Sequence, residues 1–149
     1  MTTKSPILLV EDRHEDTEAT LRAFKRVGLD NPVFHCDDGD DALDFLHRRG
    51  EYARAKAAPR PCLILLDLNL PGTDGREVLC VIKQDEQLKN IPVLVLTTSD
   101  DERDIESCHH MGANGYISKP VDFGELLRSI QHVKDFWFET AVLPRREPD

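Results

Sequence analysis

The strongest constraint on this chain is a series of short apolar runs, each bounded by polar or turn residues and most of them ending beside a chemically active side chain. The runs are Ile7–Val10, Leu63–Leu66, Val93–Leu96 and Tyr116–Ile117. They are followed by Glu11-Asp12, Asp67, Thr97 and, one residue on, Lys119. Runs this short fit strands of a parallel sheet buried on both faces. In an open α/β sheet the ligand site lies outside the carboxyl ends of the strands. Glu11, Asp12, Asp67, Thr97 and Lys119 are therefore expected to converge at one sheet edge. Three carboxylates, a hydroxyl and an ammonium make a site for a divalent cation and a phosphoryl group.

Helical patterns fill the intervals. Helix 1 is expected from His14 to Val27, with Leu21, Phe24 and Val27 at helical spacing and Gly28 as its stop. Strand 2 is read at Val33–Cys36, helix 2 at Asp40–Arg49, strand 3 at 62–66 and helix 3 at Gly75–Asp85. Asn90-Ile91-Pro92 opens strand 4, helix 4 covers Glu102–His110, and strand 5 covers Gly115–Ile117. Helix 5 has the clearest start: Asp122 and Glu125 have capping-box spacing. Phe123, Leu126, Leu127, Ile130, Val133 and Trp137 then recur at helical spacing. Five strand–helix alternations imply right-handed crossovers and helices on both faces of a parallel sheet.

Bulk properties narrow the function. A chain of 149 residues is one domain with room for a core. Its net charge of −9 argues against nucleic acid as a direct partner, since phosphate backbones need clustered Lys and Arg. No apolar stretch approaches the roughly 18 residues of a membrane span. Met1–Pro6 lacks an apolar signal segment, so a cytoplasmic location is expected. Cys36, Cys62, Cys80 and Cys108 contain no Cys-x-x-Cys pair and read as reduced, mostly buried thiols. Cys108-His109-His110 is not read as a metal site, because adjacent helical residues face different ways.

A carboxylate can attack phosphorus and become an aspartyl phosphate. Asp67, at the end of the central strand, is the expected nucleophile. Glu11 and Asp12 are expected to hold a divalent ion, Mg²⁺, through oxygen ligands. Adjacent acids point to different sides of the chain, so Asp12 is read as the direct ligand and Glu11 as acting through water. A backbone carbonyl at Asn69 is expected to complete the protein's share. Lys119 is expected to pair with Asp67 and then with a phosphoryl oxygen, to which Thr97 donates its hydroxyl.

The set Glu11-Asp12, Asp67, Thr97 and Lys119-Pro120 resembles the CheY-like receiver domain of bacterial response regulators. Pro71 and Gly75, four and eight residues after Asp67, match that family's loop. Tyr116 falls where the family carries an aromatic switch residue. The resemblance covers residues 6 to about 135 and leaves 136–149 as a C-terminal extension. It implies a flavodoxin-like doubly wound fold with strand order 2-1-3-4-5, Mg²⁺ binding, and transfer of a phosphoryl group from a sensor histidine kinase to Asp67. It also implies that Thr97 and Tyr116 move inward on phosphorylation and alter the face of helix 4, strand 5 and helix 5. Such a protein promotes its own phosphorylation and dephosphorylation and is not a turnover enzyme. A cis Lys119-Pro120 bond is usual in that family. A narrower similarity, to the stand-alone regulators that serve bacterial and cyanobacterial phytochromes, is carried by Asp67–Leu79, Leu96–Ser99 and the tail Asp135–Pro144.

That tail is too apolar for a free end. Phe136, Trp137, Phe138, Val142 and Leu143 are expected to pack against a second subunit, giving a homodimer through helix 4, strand 5, helix 5 and the tail. Three other functions share parts of this pattern. A Mg²⁺-dependent phosphatase with an Asp nucleophile often carries a second Asp two residues on, where this chain has Asn69. A flavin or nucleotide binder needs a Gly-rich loop after strand 1, where Glu11-Asp12-Arg13 would repel phosphate. A DNA-binding regulator needs a recognition domain beyond helix 5.

Overall fold

In a computed structural model of the chain, which describes residues 5–54, 57–98, 101–120 and 122–140, the sheet has five parallel strands. These are β1 (Ile7–Val10), β2 (Val33–Cys36), β3 (Leu63–Leu66), β4 (Val93–Thr97) and β5 (Gly115–Ser118). Their order is β2-β1-β3-β4-β5, as the resemblance implied. Helices α1 (His14–Arg26), α2 (Gly39–His47), α3 (Gly75–Gln84), α4 (Glu102–His110) and α5 (Phe123–Val133) fill the crossovers.

Alternating side chains divide the sheet into two cores. Leu8, Val10, Ile64, Leu66, Val93 and Val95 face one way and meet Phe45 of α2, Leu79 of α3 and Cys108 of α4. Ile7, Leu9, Leu63, Leu65 and Leu94 face the other way and meet Phe24 of α1 and Leu126 and Ile130 of α5. β1, β3 and β4 are buried throughout, which is why their sequences read as unbroken apolar runs.

Most helix starts follow the sequence. Asp122 accepts from the Glu125 amide at 2.9 Å, the capping-box contact expected for α5. Asp38 caps α2 in the same manner through the Asp41 amide, and Asp74 caps α3 through the Arg76 amide. The ends differ more. α2 stops at His47 rather than at Arg49, because Arg48 turns left-handed at φ 56° and the Arg49 amide closes on Asp44 O at 2.9 Å. The α-helical part of α5 stops at Val133, and a π-helical segment continues from Lys134 to Thr140.

This segment revises the expectation for the tail. Trp137 and Phe138 are half-buried against the α1/α5 core of their own domain. Lys134 Nζ donates to Val27 O at the end of α1 at 2.9 Å. Phe136 stays 53% exposed and meets Trp137 edge to face at 5.0 Å. Among the described residues of the apolar row expected to face a partner, Phe136 is the most exposed. Val142 and Leu143 lie outside the described residues.

Candidate functional site

Register sets the site. Val10 pairs with Leu66, Leu66 with Val95, and Thr97 with Ser118. The residues just past these positions remain pinned by the neighbouring strand. Glu11 N donates to Cys36 O at 3.0 Å, Asp67 N to Val10 O at 3.0 Å, and Lys119 N to Thr97 O at 2.7 Å. The ladder thus runs one residue beyond the apolar core. It draws polar side chains into a buried edge: Glu11 is 2% exposed, Asp67 5% and Thr97 0%.

Gly75 shows how tightly this edge is built. A Cβ there would lie 2.2 Å from Asp67 O and 2.5 Å from Leu68 Cα. The first turn of α3 can close on the Asp67 backbone only because that carbon is missing. The Gly75 amide completes the contact by donating to Leu68 O at 2.9 Å.

The centre of the site is the Lys119 ammonium. It is 2.9 Å from Asp67 Oδ2 and 2.9 Å from Asp16 Oδ2, and it pairs with Glu11 Oε1 as well. Burial opposes its charge, but its hydrogen bonds to Glu11, Asp67 and Asp16 outweigh that cost and raise its pKa above the ordinary lysine value. Glu11 is pulled both ways. Burial raises its pKa, the Lys119 hydrogen bond lowers it, and the Asp67 charge raises it again, leaving it at about 7.

Glu11, Asp12 and Asp67 each bring a carboxylate oxygen to one point, all within 4.8 Å of one another. The adjacent acids do not diverge as expected: Asp12 is exposed and Glu11 is buried, yet both reach the cluster. Oxygen donors at this spacing, with one ammonium to offset them, fit a hard divalent cation. Asp67 Oδ1 also accepts from the Asn69 amide at 3.1 Å, and Asn69 Nδ2 lies 3.5 Å from Thr97 Oγ1. Thr97 thus closes the site on the β4 side. Tyr116 is half-buried next to the α2/α3/α4 core, paired through β5 with Val95. Among the described residues no peptide bond is cis, Lys119-Pro120 included.

Two residues at the site were missed in the sequence. Asp16, in the first turn of α1, is the third carboxylate on Lys119. His35 Nε2 donates to Glu11 O at 2.8 Å, since a carbonyl can only accept. It fixes the strand end that carries the acidic pair. Asp16 had a readable signal: an acid four residues after Asp12, at the start of the following helix, points back toward the sheet edge. His35 had none beyond its position in the neighbouring strand.

Residues 7–131 match the response regulator receiver domain. The chain is 44% identical over 138 residues to the response regulator Rcp1 of Synechocystis, covering 93% of this chain and 92% of that protein. The crystal structure of the Mn²⁺-bound form of Rcp1 superposes with a TM-score of 0.87 at 43% identity, over 95% of this chain and 99% of the other. The phosphorylated cyanobacterial phytochrome response regulator RcpA gives 0.89 at 42% identity, again over 95% and 99%.

Proposed function

Because the chain belongs to the response regulator receiver family, we propose that it is a single-domain phosphoacceptor that takes a phosphoryl group from a sensor histidine kinase of the phytochrome type onto Asp67. The observation that carries this reading is the buried Lys119 ammonium, 2.9 Å from Asp67 Oδ2 and beside an acidic cluster that fits a divalent cation. Support for the pathway comes from the relatives: RcpA is a phosphorylated phytochrome response regulator, and it shares 42% of aligned residues with this chain.

In the reaction, an Asp67 carboxylate oxygen attacks the phosphorus of a phosphohistidine. The new O–P bond forms as the N–P bond breaks, and the imidazole leaves with the bonding pair and gains a proton. Phosphoryl transfer depends mainly on positioning and on charge stabilisation at the equatorial oxygens. Asp67 is oriented by the Asn69 amide at its Oδ1, which leaves Oδ2 on the Lys119 side. Lys119 and the Thr97 hydroxyl serve the transferred oxygens. Glu11, Asp12, Asp67 and the Asn69 carbonyl would hold Mg²⁺, whose charge would offset the repulsion between the acidic cluster and an incoming phosphoryl group. Tyr116 and Thr97 relay the change to the α4–β5–α5 face. Exposed Phe136 lies in a groove of about 430 Å³ on that side, with Tyr116, His132 and Trp137. A homodimer through this face, with the tail 136–149 as its extension, is part of the proposal. So is a cytoplasmic location; among the described residues no helix is long and apolar enough to cross a membrane.

The test is intact-mass measurement after incubation with acetyl phosphate and Mg²⁺. One added phosphoryl group is expected on the wild type, none on Asp67→Asn, and none on the wild type in EDTA. Equal labelling of Asp67→Asn would overturn the assignment. Light scattering at micromolar concentration tests the dimer. A monomer both with and without phosphate would rule it out.

A further inference from the structure

An ammonium has three N–H donors, and Lys119 spends them on three carboxylates: Glu11, Asp67 and Asp16. These three are not equivalent. Glu11 and Asp67 also belong to the cluster that fits a divalent cation, whereas Asp16 does not. The same two acids are thus shared between Lys119 and the cation, and two cations held by one pair of acids repel each other. A cation held by Glu11 and Asp67 would weaken the hold of Lys119 on that side.

Asp16 approaches from the other side. It projects from the first turn of α1, and its carboxylate is one-third exposed and also 3.6 Å from Arg13 Nε. Together with Lys119, Pro120 and Phe123 it lines a groove of about 250 Å³ between α1 and α5. Lys119 therefore stands between the acidic cluster and this groove, with Asp16 as the wall that faces the groove.

We propose that Asp16 is a positioning residue that keeps the Lys119 ammonium at Asp67 when the cation cluster is filled. It does so by accepting the one Nζ–H that the cation does not contest. The inference rests on the phosphoacceptor reading above. Asp16 adds negative charge that slightly repels an incoming phosphoryl group. That effect is screened, because the carboxylate is partly exposed and already paired. Misplacing a positioned group by about 1 Å costs on the order of a hundred-fold, so positioning is the larger effect.

The experiment compares wild type, Asp16→Ala and Asp16→Asn by three measurements. Metal affinity is read from the shift in thermal unfolding with added Mg²⁺. Phosphorylation rate is read with acetyl phosphate at saturating Mg²⁺. The amine reactivity of Lys119 is read by reductive methylation and mass mapping, with and without Mg²⁺. Asp16→Ala should keep Mg²⁺ affinity within about two-fold, slow phosphorylation about ten-fold at saturating metal, and leave Lys119 methylated faster once metal is bound. Asp16→Asn should recover most of the rate, because its amide oxygen accepts the same N–H. An Asp16→Ala variant that labels at or above the wild-type rate would overturn the inference. So would a slow rate that more Mg²⁺ restores, or Lys119 protection equal to wild type. A wild type that takes no phosphoryl group would instead bring down the phosphoacceptor reading itself.

Discussion

Lys119 and Arg76 are each held by more than one carboxylate, and the two clusters sit in opposite circumstances. Arg76, in the first turn of α3, reaches Asp104 of α4 with both arms, Nε–Oδ1 at 3.0 Å and Nη2–Oδ2 at 2.7 Å. Its Nη1 closes on Asp74, the cap of its own helix, at 3.1 Å. The planar fork matches the carboxylate, and the side chains keep 24–46% of their exposure. Hydrogen bonding to Asp104 is the main reason that the guanidinium pKa is raised. Lys119 is 10% exposed and shared by three carboxylates, two of which cluster with a fourth, Asp12. There the charge does not close: burial leaves Glu11 with a pKa of about 7. A cluster that served only stability would not bury more acids than its cation can satisfy. The unbalanced cluster is the one at the sheet edge where ligands bind.

The largest expected effect follows from that imbalance. Lys119→Ala should cost about 3 kcal/mol of metal-free stability in urea unfolding at pH 7. The cost stays at the lower end of the range for a broken buried pair because Glu11 can take up a proton. Mg²⁺ should restore part of the loss, and phosphorylation should stay impaired. The comparison fails if the variant is as stable as wild type without metal.

Gly75→Ala tests whether the edge is as rigid as its charges require. The added carbon meets backbone atoms of Asp67 and Leu68, which cannot swing aside as a side chain would. A loss of about 2 kcal/mol is expected, together with slower labelling, because relief must move the strand end that carries Asp67. Unchanged stability and rate would show that the edge yields.

The contrast between the clusters also marks what could be read from the chain. Asp67, Lys119, Glu11 and Thr97 stood out because each lies at or near the end of an apolar run, and strand ends are where a parallel sheet presents its ligands. Asp16 did not, because its one signal, an acid four residues after Asp12, is equally well explained by the helix dipole. The Arg76–Asp104 pair was invisible for a related reason: its partners are 28 residues apart, on different helices. The change to π-helix after Val133 was unreadable because Phe123–Trp137 keeps its apolar spacing across that point. For Gly75 the position was recognised by resemblance, while its cause, a backbone contact with Asp67, needed coordinates.

A smaller effect separates the clusters by pH. The folded-state pKa of Glu11 is about 7 against an ordinary 4.5. Between those values the folded chain binds more protons at this residue than the unfolded chain does. Its contribution to stability is therefore fully present below about pH 4.5 and lost as pH rises through about 7. Without metal, unfolding midpoints of wild type should fall relative to Glu11→Gln across that window. Parallel curves for the two proteins would remove the argument for an unbalanced site. With Mg²⁺ the trend should reverse, because a metal ligand must be ionised and affinity weakens as pH drops below about 7.

The smallest expected effect lies in the balanced cluster. Arg76→Ala removes a bidentate pair that is about one-third exposed at the arginine. Partial exposure screens the pair, so a loss of about 1 kcal/mol is expected, shrinking with added salt. A double-mutant cycle with Asp104→Ala isolates the pair from the Asp74 contact. Arg76→Lys should not restore the loss, since an ammonium cannot span both Asp104 oxygens and Asp74 in one plane. Labelling by acetyl phosphate should stay within about two-fold of wild type, because no atom of Arg76 enters the Lys119 cluster. A stability loss as large as that of Lys119→Ala, or a comparable loss of labelling, would mean that the α3–α4 tie and the sheet edge that carries Asp67 act as one unit, and the division between the two charge clusters would fall.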